Sequence, residues 1–178
     1  MVPRLLHFAA VVLTGVALVP AGAHFFSLPH KMGLTMDQYF LVQGLYRGWA
    51  LFGAVLVGAI VANAALAAAL LRGRQHFALP AAAAALLALT LALFLALVQP
   101  ANALTDNWTV IPPNWVELRA RWEYGHALNA VLTFLAFCAV TFSAVTRPDP
   151  SAERREFWID EDDGPLGSPY SEARPWPR

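Results

Sequence analysis

The side chains with the most chemistry in this chain crowd into residues 115–126, Trp-Val-Glu-Leu-Arg-Ala-Arg-Trp-Glu-Tyr-Gly-His, which run straight into an apolar segment at 127–145. On a helix, Arg119, Trp122, Glu123, His126, Asn129, Ala130 and Thr133 follow one another at three- and four-residue steps and share one face. An imidazole at His126 is a candidate general base near neutral pH. Glu123, one turn earlier, is placed to orient that ring and stabilise its protonated form. Ionisable groups at the mouth of a membrane helix are expensive unless they point into a bundle or a watery cavity. The polar face is therefore expected to meet other helices.

Four apolar segments, 5–23, 41–71, 79–98 and 127–145, each reach the ~20 residues needed to cross a hydrocarbon core. They predict an all-α integral membrane four-helix bundle over residues 1–146. Composition agrees, with 58% hydrophobic and 13% charged residues and a mean hydropathy of +0.50. A net charge of zero hides a division: from Arg147 onward there are five Arg against eight acids. That Pro-, Ser- and Asp-rich stretch, 147–178, buries too little apolar area to order itself and predicts a disordered C-terminal tail, with Phe157-Trp158-Ile159 as its one apolar exception. The membrane part carries no basic cluster of the kind that binds nucleic acid. Cys138, the only cysteine, sits in an apolar run and reads as a small buried side chain.

The first segment has a second reading, a cleaved signal peptide, because Arg4 and Ala21-Gly22-Ala23 match its flanks. Pro20 is expected to bend or end that helix. Residues 24–33, with His24, His30 and Lys31, then read as a loop in which His30 and Lys31 are solvated. Thr35 and Gln38 form a capping box, with Leu34 and Tyr39 as its staple, so the second helix starts near Met36. Gly44, Gly48, Ala54, Gly58 and Ala62 give small-residue spacing for close helix approach, and Asn63 reads as interhelical glue. The third helix, poor in polar residues, ends at Gln99-Pro100. Asn114 and Glu117 make a second capping box before the fourth.

Arg4, Arg72, Arg74, Arg147, Arg154 and Arg155 outnumber Lys31, Arg47, Arg119 and Arg121 on the opposite side. This bias predicts both termini in the cytoplasm, as a multi-pass protein of a bacterial inner (plasma) membrane. The outer side then holds His24, His30, Arg47, Asn102, Arg119, Glu123 and His126. Trp108 and Trp115 read as interface anchors, and Arg119 with Glu123 as an i,i+4 pair. Glu123-x-x-His126 has the spacing of a di-iron helix, but the further acids such a site needs are missing. A mononuclear metal site from His24, Glu123 and His126 is the remaining metal alternative. No histidine pairing for a haem is evident, and phosphate-loop and nucleophile-elbow motifs are absent.

Two blocks carry a resemblance. The first is His24-Phe25-Phe26-x-Leu28-Pro29-x-Lys31 with Tyr39-Phe40-Leu41-Val42-Gln43-x-Leu45-Tyr46-Arg47-Gly48-Trp49. The second is Pro100-x-Asn102 with Trp115-x-x-Leu118-Arg119-x-Arg121-Trp122-Glu123-x-x-His126. Together they resemble the anthrone-oxygenase-like family of small four-helix membrane proteins, a domain of unknown function, over residues 21–145. Where that family carries a basic residue after the histidine, this chain has Ala127. The resemblance implies an oxidoreductase that uses dioxygen without a cofactor on a small hydroxyaromatic substrate near the outer face. His126, Glu123, Arg119 and Asn102 would be catalytic, with Arg119 or Arg47 holding a phenolate. His24, Tyr46, Arg47 and Trp122 would bind substrate. The partners implied are thus a small apolar aromatic molecule and the lipid bilayer. The alternative is a non-enzymatic accessory or structural subunit of a membrane complex.

Overall fold

A computed structural model describes residues 2–146. The predicted tail, 147–178, including Phe157-Trp158-Ile159, lies outside the described residues. Within them the chain is helical: α1 (Val2–Met32), α2 (Met36–Gln43), α3 (Phe52–Arg72), α4 (Ala78–Leu93), α5 (Gln99–Leu104) and α6 (Trp115–Val145). Four stretches are long and apolar enough to cross a membrane, Arg4–Met32, Trp49–Arg72, Ala78–Leu104 and Trp115–Val145. They pack as an up-and-down bundle in which α1 and α4 each touch both α3 and α6. Large apolar side chains such as Leu5, Phe8, Val19, Val61 and Phe142 face outward, as lipid-facing surfaces do. The architecture is that of a multi-pass membrane protein.

One core cluster is built from small residues. Ala10, Ala59, Ala62, Leu66, Ala83, Leu87, Ala136 and Val140 are buried together, which lets backbones approach closely. Asn63 donates to Thr14 Oγ1 at 3.0 Å and to the Ala59 carbonyl at 2.9 Å, tying α3 to α1. Toward the opposite end of the bundle, Tyr39, Val98, Ala101, Trp108, Leu118 and Trp122 form a second, aromatic cluster.

The spans differ from the sequence reading at their ends. The helix α1 does not stop at Pro20; it runs through Pro20 and Pro29 to Met32, so the expected histidine loop is helical. Hydrocarbon thickness limits the apolar run but not the helix, and neighbouring helices let membrane helices tolerate proline. The expected single helix at 41–71 is broken by 3₁₀ turns at Gly44–Tyr46 and Trp49–Leu51. Between them Gly48 takes φ 88°, a left-handed conformation that glycine adopts without penalty. Gly44 and Gly48 thus build a turn rather than a helix contact, and Ala54 is exposed. Gly58 does sit against Leu13 of α1.

The third span continues past Pro100 to Leu104 through a π-helical turn, Phe94–Val98. Pro100 has no N–H to offer the Ala96 carbonyl, and Arg121 donates to that oxygen instead at 2.7 Å. The capping pair at α2 forms, with Thr35 N–H donating to Gln38 Oε1 at 3.1 Å. At α6, backbone bonds from Glu117 and Leu118 to the Asn114 carbonyl close the first turn. Cys138 is exposed on a helix side that the apolar pattern alone does not distinguish from the buried one.

Candidate functional site

The head of α6 turns its polar face inward. Trp122, Glu123, Asn129 and Thr133 are all buried by other parts of the same chain. Gly125 makes this possible: a Cβ there would stand 3.1 Å from Val98 Cγ2 and 3.3 Å from Leu97 Cβ. The helix therefore packs directly on the π turn, which swings Phe94 toward His126, ring centroids 6.1 Å apart.

His24, on α1, stacks on His126 with centroids 4.1 Å apart and planes 24° from parallel. Tyr46 at 4.4 Å, Trp122 at 4.9 Å and Trp49 at 5.6 Å close around His24. His24 Nδ1 is buried without a hydrogen-bond partner. Beside this cluster lies a cavity of about 640 Å³ that includes His24, His126, Phe94, Phe52, Asn129 and Thr133 in its wall.

Asn102, from α5, accepts the indole N–H of Trp122 at 2.8 Å and of Trp108 at 3.2 Å through Oδ1. Indole offers only donors, so these contacts fix which end of the amide is oxygen. Trp108 is buried, not an interface anchor as the sequence suggests. It is delivered by three consecutive left-handed residues, Asp106, Asn107 and Trp108. Such a conformation is unfavourable for a bulky side chain. It is held by Trp108 N–H on Thr105 Oγ1 at 3.0 Å and Asn107 N–H on the Asn102 carbonyl at 2.7 Å.

Behind the cavity sits an ion pair that sequence reasoning misses. Lys31, expected to be solvated, is buried, with its Nζ 2.7 Å from Glu123 Oε2. Its ammonium also lies 5.1 Å and 4.9 Å from the ring centres of Tyr46 and Trp122. The Tyr39 hydroxyl donates to Glu123 Oε1 at 3.0 Å. Burial first, and then the neighbouring carboxylate, push the Tyr39 phenol above its ordinary pKa, so it stays a donor. Both Glu123 oxygens are thus engaged by Lys31 and Tyr39, not by His126. The orienting role expected for that carboxylate is replaced by stacking on His24.

Arg119 pairs neither with Glu123 nor with the cavity. It donates to the Leu34 carbonyl at 3.0 Å and lies over the Trp115 ring at 4.8 Å, clamping the turn between α1 and α2. Of the residues singled out from sequence, His126, Asn102, His24, Tyr46, Arg47 and Trp122 line the cavity, with Arg47 exposed at its edge. Glu123 and Arg119 stand behind it. His30 is exposed. The mononuclear metal set is not assembled: among the described residues no three His, Cys, Asp or Glu side chains are grouped to hold an ion. The two imidazoles face each other rather than a shared centre. No family model, no curated protein and no solved structure matches this chain.

Proposed function

We propose that this is a bacterial inner-membrane protein, both termini cytoplasmic, that takes a small planar hydroxyaromatic molecule into the cavity and removes a proton from it through His126. One observation carries the reading: a stacked imidazole pair, walled by aromatic rings, borders a ligand-sized, partly open space between the chain's own helices. A pocket of this volume, with polar groups set among a mostly apolar surface, suits a small organic ligand. An accessory subunit would instead have its polar face turned outward to a partner.

The resemblance to anthrone oxygenases supplies the chemistry that follows. The substrate is a hydroxylated aromatic ring ketone with an activated methylene across the ring from its carbonyl. His126, in its neutral form, takes a methylene proton, and the electron-rich carbanion reduces dioxygen. One oxygen atom becomes the new ring carbonyl and the other leaves as water with the two methylene hydrogens. Each turnover consumes one dioxygen, and no resident redox group is required. Asn102, whose oxygen is held by two indoles, retains its amino group as a donor for the anion, and Arg47 adds positive charge at the edge. Lys31, Glu123 and Tyr39 hold the wall in place.

The test is dioxygen uptake by the purified protein with an anthrone-type substrate. One-to-one formation of the quinone is expected, and His126→Ala should lower the rate by about 10²–10⁴, the range for a general base. Tight binding without dioxygen uptake would leave a binding protein and remove the oxygenase. Neither binding nor turnover across an aromatic panel would favour the subunit reading.

A further inference from the structure

His126, Asn129 and Thr133 form one stripe on α6, and all three line the cavity. Seven residues of helix place Thr133 about 10 Å deeper than His126. Thr90 of α4 joins Thr133 in the wall.

Both threonine hydroxyls have already given their protons away. Thr133 donates to the Asn129 carbonyl at 2.8 Å, and Thr90 to the Leu86 carbonyl at 3.1 Å. Each oxygen keeps lone pairs for a second partner. Asn129 is 5% exposed, and its Oδ1 is buried without a donor. Thr90 and Thr133 share this level on two helices, while Asn129 lies about 6 Å nearer His126 with its Oδ1 closed off from the cavity. A buried acceptor left unsatisfied is destabilising. The remainder of the wall here, Leu56, Leu91 and Phe94, offers no side-chain donor.

We infer that Thr90 and Thr133 read a hydrogen-bond donor on the leading end of the ligand, which lies lengthwise between this floor and the histidine pair. The inference rests on the cavity being the ligand site. It adds the ligand's shape, an elongated flat molecule, and its polarity, a hydroxyl or N–H at the inner end.

The experiment compares 2,6-dihydroxynaphthalene with 2,6-difluoronaphthalene, which is similar in shape and has no donor. Binding is read by tryptophan quenching in lipid nanodiscs, with empty nanodiscs subtracted for partition. The dihydroxy probe should bind about tenfold more tightly, as a well-made buried hydrogen bond provides. In Thr90→Val/Thr133→Val that preference should shrink to about twofold or less, with binding of the difluoro probe retained. Thr90→Ser/Thr133→Ser should keep the preference. Equal affinity in the unmodified protein, a preference that survives the valine pair, or a preference lost in the serine pair overturns the inference while leaving the cavity as a binding site. Failure of both probes to bind overturns the cavity reading and the inference together.

Discussion

Replacing Lys31 by Met leaves the Glu123 carboxylate buried with Tyr39 as its remaining donor. At 2.7 Å the attraction lost is about 6 kcal/mol for an effective dielectric constant of about 20. Taking both ions out of water offsets most of it, so the intact pair contributes little net stability. Removing one partner is different, because the other charge stays in a site built to exclude water. The expected loss for Lys31→Met is about 3 kcal/mol, the low end for a broken buried pair, since the Tyr39 hydrogen bond still supports the carboxylate. Glu123→Gln keeps an acceptor for Tyr39 and strands the ammonium. Its loss should be similar, moderated by the rings of Tyr46 and Trp122, which are worth about 0.5–2 kcal/mol. The double variant has neither ion and should be more stable than either single one. Reversible unfolding in mixed micelles, run as a double-mutant cycle, measures the coupling, expected to be about 2 kcal/mol or more. Losses that add to within about 0.5 kcal/mol would refute the reasoning, since independent sites behave that way.

Asn102→Leu should destabilise by about 2–4 kcal/mol, because two indole N–H groups lose their shared acceptor; Asn102→Asp, which keeps it, should unfold later than the leucine variant on thermal denaturation. Gly125→Val should cost about 1–3 kcal/mol by pushing α6 off the π turn, with Gly125→Ala at the low end of that range in the same assay. Tyr39 gives a pH signature. Below the ordinary tyrosine pKa of about 10 the folded and unfolded chains both keep the proton, and stability is at its full value. Above it the unfolded chain loses a proton that the folded chain holds, so stability falls as pH rises; Tyr39→Phe should make that alkaline decline shallower in pH-dependent unfolding.

The four spans are legible in the sequence because hydrocarbon imposes one length and one composition, and α3, α4 and α6 carry both. Their ends are not, because caps, prolines and charges mark where water begins rather than where a helix stops. Pro20 and Pro29 sit inside α1, and only the packing of neighbouring helices accounts for that. The break at Gly48 has a signal in Gly44 and Gly48, and small-residue spacing conceals it by suggesting a helix contact. The meeting of His24 with His126 is also legible, since each lies toward the same end of its own helix.

Lys31 is the residue the sequence disguises. A cation after an apolar run reads as solvated because burying it alone is prohibitive, and no local pattern announces a partner. The pairing is nonetheless implied by topology. In an up-and-down bundle the last turn of α1 and the first turns of α6 lie at the same level. Lys31 and Glu123 are opposite charges at that level, each within a stretch able to span the membrane. Arg119, one turn earlier on α6, is the tempting local partner for Glu123, but it faces the α1–α2 turn and finds the Leu34 carbonyl there. A half-buried backbone carbonyl supports an arginine at the rim, whereas a carboxylate one turn deeper needs a full countercharge. That difference in depth selects Lys31 over Arg119, and depth within a span ranks the partners of an ionisable residue better than spacing along its own helix does.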